Sequence, residues 1–302
     1  MIVNGIMFQY CKTDNNSISI PAGVSTIGYS AFSGHAELEE VFFSDGLQNI
    51  QRYAFANCKG LKSVSLPKTV SYVNYNAFLD CSALTTFSME GSGSVCGNAF
   101  NGCKSLVSVT TPYLGLVWGS TPSFAKCSKL KEICITEGAK SFYLDAIKPA
   151  EKHLKVLKLP GSVKRIRRDY AEWPQNLIVY TVPDSAAAIS ALRAGLKVYD
   201  LNDPKIQITE ISQEALEAEK AEAEADKAEM LRSVETLGKG RLKRMLAVMG
   251  NPLKTKSPAV LRRKLNTLLI SEAESKSISC MEAFENNEQL SHVLDEDPDY
   301  DE

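Results

Sequence analysis

Leucines recur along the first two-thirds of the chain at almost constant phase: Leu38, Leu61, Leu84, Leu106, Leu130, Leu154 and Leu177. The steps between them are 23, 23, 22, 24, 24 and 23 residues. Six residues before five of these leucines stands Phe32, Phe55, Phe78, Phe100 or Phe124, four times preceded by alanine. Six residues after four of them stands Pro67, Pro112, Pro160 or Pro183. A small apolar pair lies between proline and the next phenylalanine, as in "PAGVSTI", "PKTVSYV" and "PGSVKRI". A repeat of this period is the signature of stacked structural units, so the pattern predicts a solenoid.

One coil can be derived from its residues. "LKVLKLP" (154–160) has the L-x-x-L-x-L spacing of a short strand that turns alternate apolar residues inward. Proline ends the strand because it has no N–H for the next ladder bond. The Val/Ile pair turns the chain back, and the Ala-Phe segment forms a helical or irregular turn whose ring fills the coil. A single coil cannot cover its own apolar face, so stacking supplies the core, and successive strands are expected to form one parallel sheet.

These residues resemble the BspA-type leucine-rich repeats. The family's pattern is carried by Ile20 and Pro21, Val24, Ile27 and Gly28, Ala31 and Phe32, Leu38 and Val41, and again from Ala54 to Val73. The segment "VYTVPDSAAAISALRAGLKVYD" (179–200) is similar to that family's closing segment, with Asp184 placed to cap a short helix and Gly195 to stop it. The resemblance implies an α/β repeat solenoid, a right-handed leucine-rich-repeat coil over residues 1–203 with its own C-terminal cap. It also implies a binding or adhesion scaffold without catalytic activity.

The residues between the inward positions of each strand are the candidate partner-binding set: Glu40, Phe42, Ser63, Ser65, Thr86, Ser88, Ser108, Thr110, Glu132 and Lys158. The same count points Cys134 and Val156 outward, then Val179 and Thr181 in the last coil. The middle of this face is a run of small hydroxyls, and Phe42 is its exposed aromatic, the residue type that most often anchors an interface.

Cys58, Cys81, Cys103 and Cys127 each stand three residues before a repeat leucine. Ligands of one metal converge on a point, whereas these are displaced by a coil each, so they read as buried thiols that fill the coil. His35 occupies the same slot in the first repeat, His153 adjoins a core leucine, and His292 lies in an acidic segment. No phosphate loop, nucleophile elbow, dinucleotide fingerprint or paired C-x-x-C is present. No catalytic residue, metal ligand or cofactor is assigned.

Beyond residue 203 the pattern changes. "TEISQEALEAEKAEAEADKAEMLRSVE" (209–235) is rich in Ala and Glu with a thin apolar stripe, which predicts a long exposed helix acting as a spacer across 204–236. Residues 237–275 predict a hairpin of two short helices. Leu242, Met245, Leu246 and Met249 share one face ended by Gly250; Ser257 and Pro258 start the next helix, with Leu261, Leu265, Leu268 and Leu269 as its stripe. Nine basic residues and no acidic one fall between 239 and 264: Lys239, Arg241, Lys243, Arg244, Lys254, Lys256, Arg262, Arg263 and Lys264. Such a cluster suits phosphate contacts. "LKRML" (242–246), Gly250 and "LRRKL" (261–265) are similar to the SAP motif, a helix-extended-helix unit, which implies nucleic-acid binding through these nine residues. Residues 276–302 are acidic and read as a solvated tail with room for a short helix around Cys280–Leu294.

Bulk properties narrow the function. A net charge of −2 over 302 residues confines any nucleic-acid role to the basic hairpin. "MIVNGIMFQYCKTDNN" lacks a basic n-region, and Asn4 and Gln9 interrupt any apolar run, so the expectation is a cytoplasmic protein rather than a secreted one. No apolar run is long enough to span a membrane. The leading expectation is a non-catalytic protein-interaction scaffold using the strand face. The alternatives are a DNA-associated adaptor acting through the hairpin and a structural subunit of a larger assembly; oligomeric state is left open.

Overall fold

The computed structural model describes residues 2–7, 16–96, 98–114, 124–167, 172–249, 258–276, 280–281, 283–285 and 287. They divide into a solenoid unit that ends at Ile211 and a helical unit that begins at Ser212.

From Ser63 onward each solenoid coil carries one strand in a long ladder. Strands Ser63–Leu66, Thr86–Met89, Ser108–Thr111, Glu132–Ile135, Val156–Lys158, Ile178–Thr181 and Lys197–Asp200 pair in parallel in this order, and Gln207–Ile208 closes the end antiparallel. Strands Ser17–Ser19 and Glu40–Phe42 pair in the same sense at the N-terminal side. Sequence patterning predicts one parallel sheet; the structure has a second. The Val/Ile pairs do more than turn the chain: Thr26–Ile27, Asn49–Ile50, Tyr72–Val73 and Ser94–Val95 form a parallel ladder of two-residue strands.

Between the two ladders runs a column of rings. Phe32, Phe55, Phe78, Phe100 and Phe124 are fully buried and stack nearly parallel, with successive centroids 4.8, 5.3, 5.9 and 5.8 Å apart. Phe87 meets Phe78 and Phe100 edge-on from the strand side. Such contacts add about 0.5–1.5 kcal/mol each beyond the burial of their area. The turn that presents each ring is fixed by its backbone. Left-handed residues flank the phenylalanine two positions before (Ser30, Tyr53, Asn76, Asn98) and two after (Gly34, Asn57, Asp80, Gly102, Lys126). Gly, Asn and Asp tolerate that region; Lys126 does so at a cost of about 1 kcal/mol.

The four in-register cysteines are buried and do more than fill space. Cys58, Cys81, Cys103 and Cys127 each donate their S–H to the carbonyl of Phe32, Phe55, Phe78 and Phe100, respectively, at 3.0–3.1 Å. Each thiol thus satisfies a carbonyl of the preceding coil's turn.

At the C-terminal end, helix α1 (Ala186–Arg193) covers the last strands. Its cap is Ser185, whose Oγ accepts from the Ala188 N–H at 3.1 Å. Asp184, the expected cap, instead takes a left-handed φ of 58° and makes the preceding turn. Gly195 follows the helix with φ 75°, a conformation glycine adopts without strain.

The helical unit contains α2 (Gln213–Thr236), α3 (Lys239–Val248) and α4 (Pro258–Lys276). Most of α2 is exposed, as its Ala/Glu composition predicts, but Met230 and Val234 are fully buried. They pack with Leu237, with Leu242, Met245 and Leu246 of α3, and with Leu261, Leu265 and Leu269 of α4. The end of the expected spacer is therefore part of a core. The second hairpin helix is not short either: its apolar spacing continues to Ala273 and it runs for 19 residues. Ala283 and Phe284, expected in a solvated tail, are buried in the same cluster.

Removing one ring of the column leaves a cavity that its neighbours on both sides cannot close. Phe78→Ala is expected to destabilise the solenoid by about 3–5 kcal/mol, against under ~0.5 kcal/mol for Lys59→Ala on the surface, read from urea unfolding. Near-equal losses would remove the ring column as the organising element.

Candidate functional site

The long ladder presents two outward rows. The first holds Ser63, Thr86, Ser108, Glu132, Val156, Ile178 and Lys197; the second holds Ser65, Ser88, Thr110, Cys134, Lys158, Tyr180 and Tyr199. Glu40 and Phe42 continue both rows on the preceding coil, whose register is held by the Lys62 N–H donating to the Glu39 carbonyl. Of the sequence-selected residues, Glu40, Phe42, Ser63, Ser65 and Thr86 are exposed, Phe42 by 57%. Ser88, Ser108, Thr110, Glu132 and Lys158 are half-buried.

In the last coil the expected direction is reversed. Val179 and Thr181 are fully buried, and Ile178 and Tyr180 face outward. In the other coils the first inward strand residue lies three positions after the repeat leucine, as at Leu154 and Leu157; here Val179 lies only two after Leu177. The ladder pairs Val156 with Ile178, so counting from the leucine misplaces every side chain by one. Thr181 is accommodated in the core by its hydroxyl contact with Ser185, 3.0 Å. The consequence for the site is an aromatic pair that sequence counting missed: Tyr180 and Tyr199 stack with centroids 5.5 Å apart.

Two pairs of polar groups on the face meet across strands. Ser88 Oγ donates to Ser65 Oγ at 3.1 Å. Lys158 Nζ reaches Glu132 at 2.7 Å, and that hydrogen bond holds its ammonium above the ordinary lysine range. Glu39 and Lys62 form a further exposed pair, which lowers the Glu39 carboxyl. Cys134 is half-buried between these groups, and burial pushes its thiol up. The face thus carries small hydroxyls and one ion pair through its middle, with aromatics at both ends.

A second aromatic patch lies on the flank of the short ladder. Tyr29, 62% exposed, meets Tyr53 edge-on at 5.8 Å, and Arg52 stands 5.0 Å from the Tyr75 ring centre. Beside it the Tyr72 hydroxyl and Cys96 Sγ share a hydrogen bond in which the phenol's O–H is the donor, and this bond, with burial, pushes the phenol up to about 12.

The basic residues are distributed over two helices. Lys239, Arg241 and Lys243 lie on α3, and Arg262, Arg263 and Lys264 on α4. Lys239 and Arg263 are exposed; Arg241, Lys243, Arg262 and Lys264 are half-buried. Arg262 donates through Nη2 to the Leu237 carbonyl at 3.0 Å, capping the C-terminal end of α2. Lys254, Lys256, Gly250, Ser257 and the side chain of Arg244 lie outside the described residues.

Among the described residues no group of three His, Cys, Asp or Glu side chains could hold a metal ion, and no helix is long and apolar enough to cross a membrane. His35 contacts Glu37 at 3.2 Å, and His153 is exposed; His292 lies outside the described residues.

A family model described as the BspA type leucine rich repeat region matches the chain in six copies, over residues 2–115 and 93–178. No curated protein matches it. Among solved structures, the chain is similar to the leucine-rich repeat protein of T. pallidum, at 20% identity, covering 51% of this chain and 84% of that one with a TM-score of 0.40. A leucine-rich repeat protein from Bacteroides ovatus is 22% identical, with 62% of this chain and 53% of that one covered and a TM-score of 0.40. One from Eubacterium ventriosum is also 22% identical, covering 57% and 48%, with a TM-score of 0.45. The chain thus spans about half the length of the latter two.

Burial pushes the Cys58 and Cys127 thiols up to about 12 and those of Cys81 and Cys103 well above their ordinary value, so at pH 8 all four stay protonated in the folded chain. Iodoacetamide is expected to modify the half-buried Cys134 before these four, which react only on unfolding, read by peptide mass spectrometry. Native labelling of Cys81 as fast as Cys134 would contradict this geometry.

Proposed function

The chain belongs to the BspA-type leucine-rich repeat family, and we propose that it is a non-catalytic scaffold that binds a protein partner on the exposed strand face of its solenoid. The supporting observation is the continuous outward row from Phe42 through Ser65, Ser88, Thr110, Cys134 and Lys158 to Tyr180 and Tyr199. At one strand every ~4.8 Å this row is about 34 Å long, the scale of a standard protein interface.

The chemistry of the row favours a polypeptide partner. Small hydroxyls leave the middle flat and able to exchange hydrogen bonds with backbone groups. Tyr180, Tyr199 and Phe42 supply rigid area at the two ends, and burying such rings is what usually dominates binding energy. Lys158 with Glu132 adds a cross-strand pair that selects register more than it adds affinity.

Capture with the full chain and its variants tests this reading. A protein retained by the wild type is expected to bind the Tyr180→Ala/Tyr199→Ala double variant about thirtyfold more weakly, a loss of ~2 kcal/mol. Phe42→Ala is expected to weaken it in the same direction. Tyr29→Ala, on the flank, leaves it unchanged. Retention lost with Tyr29→Ala and kept with the double variant would move the binding surface off the strand face.

A further inference from the structure

The rim where each coil turns into its long strand changes sign along the solenoid. In the first coils it mixes Glu37, Glu39 and Asp80 with Lys59 and Lys62, and Lys62 is paired with Glu39. In the three successive coils with strands Ser108–Thr111, Glu132–Ile135 and Val156–Lys158 it carries Lys104, Lys126, Lys129, Lys131, Lys152 and Lys155, all exposed. The repeat dictates this placement. Cys127 and Leu130 are held inward by a turn in which the Leu130 N–H donates to the Cys127 carbonyl at 3.2 Å, so the residues between and beside them face solvent.

None of these six ammonium groups has an ion-pair partner among the described residues. Two carboxylates lie close in sequence. Glu132 is taken by Lys158 at 2.7 Å on the strand face, which leaves the exposed Glu151 against six lysines. The lysines also face one another. The Lys155 N–H donates to the Lys131 carbonyl at 2.9 Å, so the two residues enter neighbouring strands one spacing of about 4.8 Å apart. Like charges directly across strands destabilise a sheet. The same slot in adjoining coils holds Thr85, Val107 and Ile178, so the fold itself does not call for a cation there. Positive charge concentrated in this way attracts an external anion.

The residue types narrow that anion. Segments 102–108, 126–132 and 150–156, which form this rim, contain no arginine, so it offers mobile point charges and no planar fork for a single phosphate. They contain no Phe, Tyr or Trp either, so nucleobases have no ring to stack on. Ser128 and His153 are exposed between the lysines and suit hydroxyl partners. A polymer lying along the solenoid axis meets a new coil every ~4.8 Å, and one pyranose unit of an extended polysaccharide advances by nearly that length. A carboxylate on each sugar then meets one lysine-bearing coil after another.

We propose that this lysine rim binds a linear polyuronate, a polysaccharide with one carboxylate on each sugar. Successive carboxylates lie against Lys104, against Lys129 and Lys131, and against Lys152 and Lys155, while sugar hydroxyls meet Ser128 and His153. The site adjoins the strand face and uses none of the residues of its outward rows.

The full chain is titrated by calorimetry with a galacturonate oligosaccharide, with its methyl ester, and with oligothymidylate and oligoglutamate of the same charge. The free oligosaccharide is expected to bind saturably and at least about tenfold more tightly than the other three. Its affinity is expected to fall at least about tenfold between ~50 and ~300 mM salt. Lys131→Gln/Lys155→Gln is expected to weaken it about tenfold with unchanged circular dichroism, and Lys131→Arg/Lys155→Arg to keep most of the affinity. Lys68→Gln, on an exposed residue beyond Pro67, and Tyr180→Ala/Tyr199→Ala leave it unchanged, which separates this site from the strand face. Equal binding of the methyl ester, of oligothymidylate or of oligoglutamate, unchanged affinity of Lys131→Gln/Lys155→Gln, or absence of saturation at ~10 mM oligosaccharide would each overturn the proposal.

Discussion

The face-to-face stacking of five phenyl rings, one per coil, sets the constraint that the rest of the solenoid obeys. Parallel rings 4.8–5.9 Å from centre to centre, against about 4.8 Å between neighbouring strands, can keep the strand pitch when stacked with a lateral offset, so both ladders and the ring column share it. The backbone reinforces it. The N–H of Phe32, Phe55 and Phe78 donates to the carbonyl of Ala54, Ala77 and Ala99 in the next coil, at 2.7–2.9 Å. The cysteine thiols donate in the opposite direction, from each coil to the phenylalanine carbonyl behind it. An alanine before the ring keeps the turns close enough for these bonds, which explains why the pair recurs as a unit.

Much of this was legible because the repeat states each contact several times. The phase of Leu38 through Leu154, the inward phenylalanines and the buried cysteine column follow from spacing alone. What spacing does not carry is the partner of a polar atom. The cysteines read as filler, and their role as donors depends on where the previous coil's carbonyls point. The last coil shows a different limit. Leu177 keeps the period but sits one residue closer to its strand, and with an alternation of two a single residue exchanges inside for outside. Tyr180 was hidden by that slip, although the sequence "LIVYTV" already offers Val179 as the better inward residue.

In the helical unit, local composition and tertiary packing disagree in an informative way. The Ala/Glu run of α2 predicts solvent on all sides, and it is correct until Met230 and Val234, two large residues one turn apart that dock on α3 and α4. A basic run is equally ambiguous from sequence: Arg262 belongs to the same cluster as Arg263, yet it caps the end of α2 while Arg263 faces solvent. Charge along the chain therefore counts together residues that geometry divides between a structural contact and solvent. The strand face has the opposite character. Its residues are bland one by one and acquire meaning from their alignment into a row closed by Phe42 at one end and the Tyr180 and Tyr199 stack at the other.

Native-state hydrogen exchange tests directly whether inter-coil bonds at the ring column hold the solenoid together. The amides of Phe32, Phe55 and Phe78 are expected to exchange as slowly as those of the long strands and to be released with them in one cooperative step. Exchange of these turn amides at the rate of the exposed first half of α2, with the strands still protected, would contradict it.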